Sequence, residues 1–187
     1  MDRRTCCRLL AGVIALPAAV RADDDLWALL RRGGQVVMVR HALTDPGVGD
    51  PEGFRLGDCG TQRNLSEAGR REAQRLGETL RARQVPVSKV YASPWCRCID
   101  TARLAFGEAP ETLPALGNIF GRREREAQQV AELRKRLRTP AAGNVFWISH
   151  GSTTLALTGV SPATAEMVVL TPQAGGGFRV AGRIAPG

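Results

Sequence analysis

Only two histidines occur in the 187 residues of this chain, and both stand in the same kind of place. His41 ends the run Val36–Val37–Met38–Val39–Arg40, and His150 ends Val145–Phe146–Trp147–Ile148–Ser149. Short apolar runs bounded by polar turns read as buried strands. In α/β sheets, ligands gather at the carboxyl ends of the strands. A third run, Val87 to Ser93, is stopped by Pro94 and leads to Arg97. One histidine in such a position would read as a hydrogen-bonded core residue. Two at equivalent strand ends, with Arg40 and Arg97 brought to the same edge, read as a site.

The residue types narrow its chemistry. A guanidinium binds phosphate oxygens through a planar fork of donors. A neutral imidazole is a nucleophile, available in quantity near pH 7. Attack of such an imidazole on phosphorus would give a phosphohistidine, with the arginines holding the charge of the transferring group.

The intervening sequence supplies elements to position these groups. The strand Val36–Arg40 is entered through Gly33–Gly34, and residues 42–64 form a long loop rich in Gly, Pro and Asp. Loops of this length in a compact domain are usually functional or disordered. Ser66 is a fair N-cap for a helix whose apolar face carries Ala73, Leu76 and Leu80. Trp95 to Phe106 reads as a helix closed by Gly107. Residues 108–121 read as irregular. A charged helix follows, with Val130, Leu133 and Leu137 turned inward. The strand Gly143–Ser149 leads through His150–Gly151 into a further helix. Glu166–Pro172 and Gly176–Ile184 then read as the two strands of a hairpin. Strands alternating with helices predict a parallel-rich α/β sheet covered on both faces, with no internal repeat and no interdomain linker.

Four blocks of the sequence resemble, in order, the signatures of the histidine phosphatase superfamily, in its phosphoglycerate-mutase-like branch. "VRHALT" is similar to the Arg-His-Gly signature. "RNLSEAGRREAQRLG" is similar to the Leu-Ser/Thr-x-x-Gly segment with its amphipathic helix. "YASPWCRCIDTA" resembles the Ser-Pro-x-x-Arg-x-x-x-Thr-Ala block, and "ISHG" the late Ser-His-Gly. The resemblance implies a three-layer α/β/α sandwich with a mixed, mostly parallel sheet. It implies that His41 is the phosphorylated nucleophile, that Arg40 and Arg97 bind the phosphate with Thr44 assisting, and that His150 completes the pocket. No metal or organic cofactor is implied. The substrate would be a phosphorylated small molecule or macromolecule.

The chain departs from the family pattern in two places. Ala42 stands where the signature has Gly. The proton donor to the leaving group has no clear counterpart: Glu124, Glu126, Asp45 and Asp58 are candidates, and the two glutamates read equally as charges at a helix N-terminus. A phosphate-binding module of the same fold without turnover is therefore a rival to the phosphatase. A two-histidine phosphodiesterase needs a hydroxyl residue two after each His; Ser152 fits, but Leu43 does not. Only 53 positions separate Arg97 from His150, too few for a capping subdomain, so an open pocket is expected.

Composition bounds the rest. Apolar residues make up 43% of the chain, enough for a core, and the net charge is +8. The basic residues are dispersed along helices without interleaved aromatics, which argues against nucleic-acid binding. Residues 1–22 have the form of a secretory signal peptide: Arg3, Arg4 and Arg8, then the apolar run Leu9–Val20, then Val20–Arg21–Ala22 before three aspartates. The run is shorter than the ~20 residues needed to span a bilayer. Cleavage after Ala22 is expected to leave residues 23–187 as a single domain of charge +5, periplasmic or secreted and without stable membrane insertion. The mature chain would retain Cys59, Cys96 and Cys98. In an oxidising compartment Cys59 is expected to bond one of the other two, with Cys96 favoured because it directly precedes Arg97.

Overall fold

The computed structural model describes residues 18–138, 140 and 142–186. Its centre is a sheet of six strands: β1 (Val36–Arg40), β2 (Val87–Ala92), β3 (Glu111–Thr112), β4 (Asn144–Ser149), β5 (Met167–Pro172) and β6 (Phe178–Ile184). Their order across the sheet is β3-β2-β4-β1-β5-β6. The first four are mutually parallel; at one side β5 pairs antiparallel with β1, and β6 antiparallel with β5, so that β5 alone runs against the others. The sheet is therefore mixed and mostly parallel, as the sequence predicts.

Alternation along β1 divides the core into two layers, because successive side chains of a strand point to opposite faces. Val37 and Val39 pack with Leu76, Leu80, Ala102 and Phe146 beneath helices α1 (Ala18–Arg32), α2 (Glu67–Ala82) and α3 (Cys96–Phe106). Val36 and Met38 pack with Leu133, Leu137, Trp147 and Leu157 beneath α4 (Glu126–Arg136) and α5 (Gly151–Thr158). β1 is buried on both faces, as expected of a central parallel strand. The result is the three-layer α/β/α sandwich.

Two elements differ from the sequence reading. Residues 108–121, read as irregular, contain β3 and a turn of 3-10 helix at Pro114–Leu116. Two strand residues flanked by Pro110 and Pro114 are too few to show periodicity. The sequence reading assigned no element to residues 23–32, yet they belong to α1, where Leu26, Trp27 and Leu30 are buried. Residues 1–17 of the predicted signal segment lie outside the described residues, and 18–22 begin α1.

α2 begins where the sequence places it. The Ser66 side chain accepts from the Gly69 N–H at 3.1 Å, satisfying one of the open donors of the first turn. Gly69 also sets how closely α2 passes the chain that leaves His41. A Cβ there would lie 1.8 Å from the Leu43 carbonyl oxygen. No side chain fits in that space, so helix and loop touch through backbone.

Candidate active site

β1 and β4 lie side by side, with Arg40 level with Ser149. The pairing continues one step past the strands: the His41 N–H donates to the Ser149 carbonyl at 2.8 Å. On the other side of β4, the Ser93 N–H donates to the Ile148 carbonyl at 2.9 Å. This register brings the ends of β1, β4 and β2 together. The rings of His41 and His150 meet edge to face with centroids 5.3 Å apart.

Both histidines are buried, and each ring is fixed at one nitrogen. His41 Nδ1 lies 2.8 Å from the Ala42 carbonyl oxygen. That oxygen can only accept, so Nδ1 carries the proton and Nε2 keeps its lone pair. Burial drives the His41 pKa down to about 3; the Ala42 carbonyl opposes this, and the charges of Arg97, Arg40 and Arg63 add to it. The imidazole is thereby held neutral, as a nucleophile must be. Burial likewise pushes His150 well below the usual imidazole range, with His41 and the arginines adding to the shift. His150 Nε2 lies 2.8 Å from Ser93 Oγ and 3.5 Å from Cys98 Sγ. With Ser93 donating to Nε2, His150 Nδ1 bears the proton. Trp95 covers the same ring edge to face at 5.2 Å.

Ala42 suits the turn after His41. It has no left-handed backbone: Gln84 and Ala165 are the only non-glycine residues with positive φ among the described residues. Its methyl packs with Leu65, Ala73 and Ala165 in a small core of their own. Its N–H donates to Thr101 Oγ1 at 3.0 Å.

Arg97 stands in the first turn of α3 and is almost wholly buried. Both of its terminal nitrogens donate to Asp50, Nη1 to Oδ1 at 2.6 Å and Nη2 to Oδ2 at 3.1 Å. Asp50 also accepts from Trp95 Nε1 at 3.0 Å and from the Arg63 N–H at 3.2 Å. Burial works to raise the Asp50 pKa, but the hydrogen bond and charge of Arg97, with the Arg63 amide and Trp95 indole, hold it below its ordinary value. Asp50 is therefore a fixed carboxylate.

The cleft these residues floor has a volume of about 430 Å³. Arg40, His41, Arg97 and His150 all line it, so four of the residues singled out in the sequence converge. Thr44 does not line it and pairs by an isolated bridge with Leu65. Glu124, Glu126, Asp45 and Asp58 do not line it either. Glu126 occupies the first turn of α4, and Asp58 pairs with Arg55 at 2.6 Å.

Arg63, Asn118 and Ser152 also line the cleft; the sequence points to neither Arg63 nor Asn118, and to Ser152 only as the hydroxyl residue that follows His150 in the phosphodiesterase pattern. Arg63 sits in the Gly/Pro-rich loop and donates through Nη1 to the Gly47 carbonyl. The loop is tied down by a disulfide between Cys59 and Cys96, the pairing favoured from sequence, and by the Cys96 N–H donating to Gln62 Oε1 at 3.0 Å. Arg63 and Asp50 gave no periodic signal. The one clue is the length of a loop bounded by candidate site residues.

The sequence model of the histidine phosphatase superfamily, branch 1, matches residues 36–143. The chain belongs to this superfamily. The matched span ends short of His150, which the fold returns to the side of His41. No curated protein sequence matches the chain. Solved structures share its fold at low identity. A protein assigned as the phosphohistidine phosphatase SixA from Agrobacterium tumefaciens is 20% identical with a TM-score of 0.57, over 82% of this chain and 99% of that one. A protein assigned as an alpha-ribazole-5'-P phosphatase from Escherichia coli is 17% identical with a TM-score of 0.57, over 83% and 98%. A phosphoserine phosphatase mutant from Entamoeba histolytica is 13% identical with a TM-score of 0.56, over 80% and 95%. These likenesses place the chain in the phosphoglycerate-mutase-like fold.

Proposed function

We propose that this histidine phosphatase superfamily member is an exported phosphatase that hydrolyses a phosphomonoester through a phosphohistidine on His41. One observation carries the reading. Among the described residues, six buried side-chain polar atoms lack a hydrogen-bond partner, and four are nitrogens of cleft residues: Arg40 Nε, Arg63 Nε, Arg97 Nε and His150 Nδ1. Buried donors are normally paired. Four on residues that line one cleft, beside a neutral imidazole, suit a tetrahedral oxyanion.

In the reaction, His41 Nε2 attacks phosphorus and the ester bond to the leaving oxygen breaks. Arg40, Arg63, Arg97 and His150 hold the equatorial oxygens, whose charge grows in the transition state. Water then attacks the phosphohistidine, releasing inorganic phosphate and restoring His41. That phosphatases appear among the structures sharing the fold supports the reaction class.

The experiment is to trap the intermediate. Purified chain given a labelled phosphomonoester and quenched should carry acid-labile, base-stable phosphate on His41, and His41→Ala should carry none while remaining folded. Binding of inorganic phosphate with no labelling and no turnover would favour the binding module instead. Export is tested separately: N-terminal sequencing of the mature protein should read from Asp23, and an intact Met1 on that species would exclude this route.

A further inference from the structure

Above its arginine floor the cleft changes character. Among the described residues, six large apolar side chains are exposed, and three of them, Val48, Phe120 and Leu155, line this cleft. Single exposed apolar residues are ordinary, whereas their grouping marks a binding surface. Val48 is 86% exposed and Phe120 61%, so the fold gains little by holding them there. They come from three separate segments: the loop after β1, the loop before α4, and α5.

Two polar side chains of the rim engage each other. Asn118 Oδ1 accepts from Ser152 Oγ at 2.8 Å and from the Phe120 N–H at 3.1 Å. No carboxylate lines the cleft among the described residues. Asp50, just behind it, is occupied by Arg97 and kept ionised.

Resting on the phosphatase reading, we propose that the substrate is an aryl phosphate, with its phosphate on the arginine floor and its ring against Val48, Phe120 and Leu155. Two independent features lead there. The rim offers apolar contact where a sugar would need hydroxyl partners. The cleft also brings no carboxylic acid to the leaving oxygen. An alkoxide leaves slowly without a proton from a positioned acid. A phenolate, whose conjugate acid has a pKa of roughly 10, leaves with far less help. The N–P bond to His41 forms as the P–O bond to the ring breaks. The electron pair departs on the phenolate oxygen, which takes its proton from water.

The test separates ring contact from leaving-group reactivity. Phenyl and 2-naphthyl phosphate differ in apolar area far more than in leaving-group acidity. kcat/KM for the naphthyl ester should be higher by about tenfold, the scale for burying part of a second ring. Phe120→Ser and Val48→Ser should each bring that ratio toward one, and both positions are exposed enough for the variants to fold. Glucose 6-phosphate and phosphoserine should be turned over at least a hundredfold less efficiently than the naphthyl ester. A phosphotyrosine peptide run beside free aryl esters tells whether the ring belongs to a protein or a small molecule. Sugar phosphate turnover equal to that of the naphthyl ester, or a ratio unmoved in both variants, would overturn the inference while leaving the phosphatase intact. No phosphohistidine with any ester would remove the phosphatase reading itself.

Discussion

Asp50 grips Arg97 by both carboxylate oxygens, at 2.6 and 3.1 Å, and neither side chain is open to solvent. The guanidinium plane is thereby fixed by Asp50, and Nε has no partner of its own. Removing one member of a buried pair exposes the other to an uncompensated burial, which costs about 3–5 kcal/mol. Asp50→Ala should lose stability on that scale in urea denaturation. Asp50→Asn keeps the shape and removes the charge. It should lower kcat at least tenfold while inorganic phosphate inhibits more tightly, because the floor gains positive charge as Arg97 loses its orientation. Unchanged kcat in Asp50→Asn would show that Arg97 needs no positioning partner.

Arg97→Lys should fail for a related reason. An ammonium cannot reproduce the planar fork that makes two parallel bonds to Asp50. The expected loss is about 10²–10³ in kcat, the scale of one preorganised donor. A near-native rate in steady-state assays would place Arg97 outside the reaction.

The strand ends of this site were legible because two physical signals coincide there: a run of apolar residues that must be buried, then a residue type that burial disfavours. That located His41, His150, Arg40 and Arg97. Arg63 and Asp50 belong to a loop whose course is set by one disulfide and scattered side-chain bonds, so no periodicity announces them. Thr44 was selected by resemblance, and its backbone pairs with Leu65 away from the cleft. α1 was missed because three buried residues in a charged stretch, Leu26, Trp27 and Leu30, give too short a stripe to outweigh the neighbouring signal pattern.

The Cys59–Cys96 bond closes 37 residues, a length at which the chain-entropy model gives about 3–4 kcal/mol. It also joins the loop of Asp50 and Arg63 to the helix turn of Arg97. The double variant Cys59→Ser/Cys96→Ser should lose stability on that scale and show a raised KM. Cys98 should not substitute as a partner: it is fully buried beneath His150, and burial pushes its thiol up to about 12. A double variant with wild-type KM would show that the tether serves stability alone.

The two histidines should make the fold sensitive to mild acid. His41 titrates near 6.5 when unfolded and about 3 when folded, because burial and three arginines oppose its charge. Between those values the unfolded chain binds a proton that the folded chain does not, so stability rises with pH and is lost as pH falls. At pH 5 the loss due to His41 is about 2 kcal/mol relative to neutral pH. His150 is shifted in the same direction by its own burial and by His41. Asp50, with an ordinary value of 3.8, acts in the same sense only at lower pH. The interval from pH 5 to 6.5 therefore belongs to the histidines. Urea denaturation across that interval should show the wild type weakening, and His41→Asn weakening less steeply. A His41→Asn profile parallel to the wild type would mean that His41 takes up its proton in the folded state, and the neutral nucleophile would have to be abandoned.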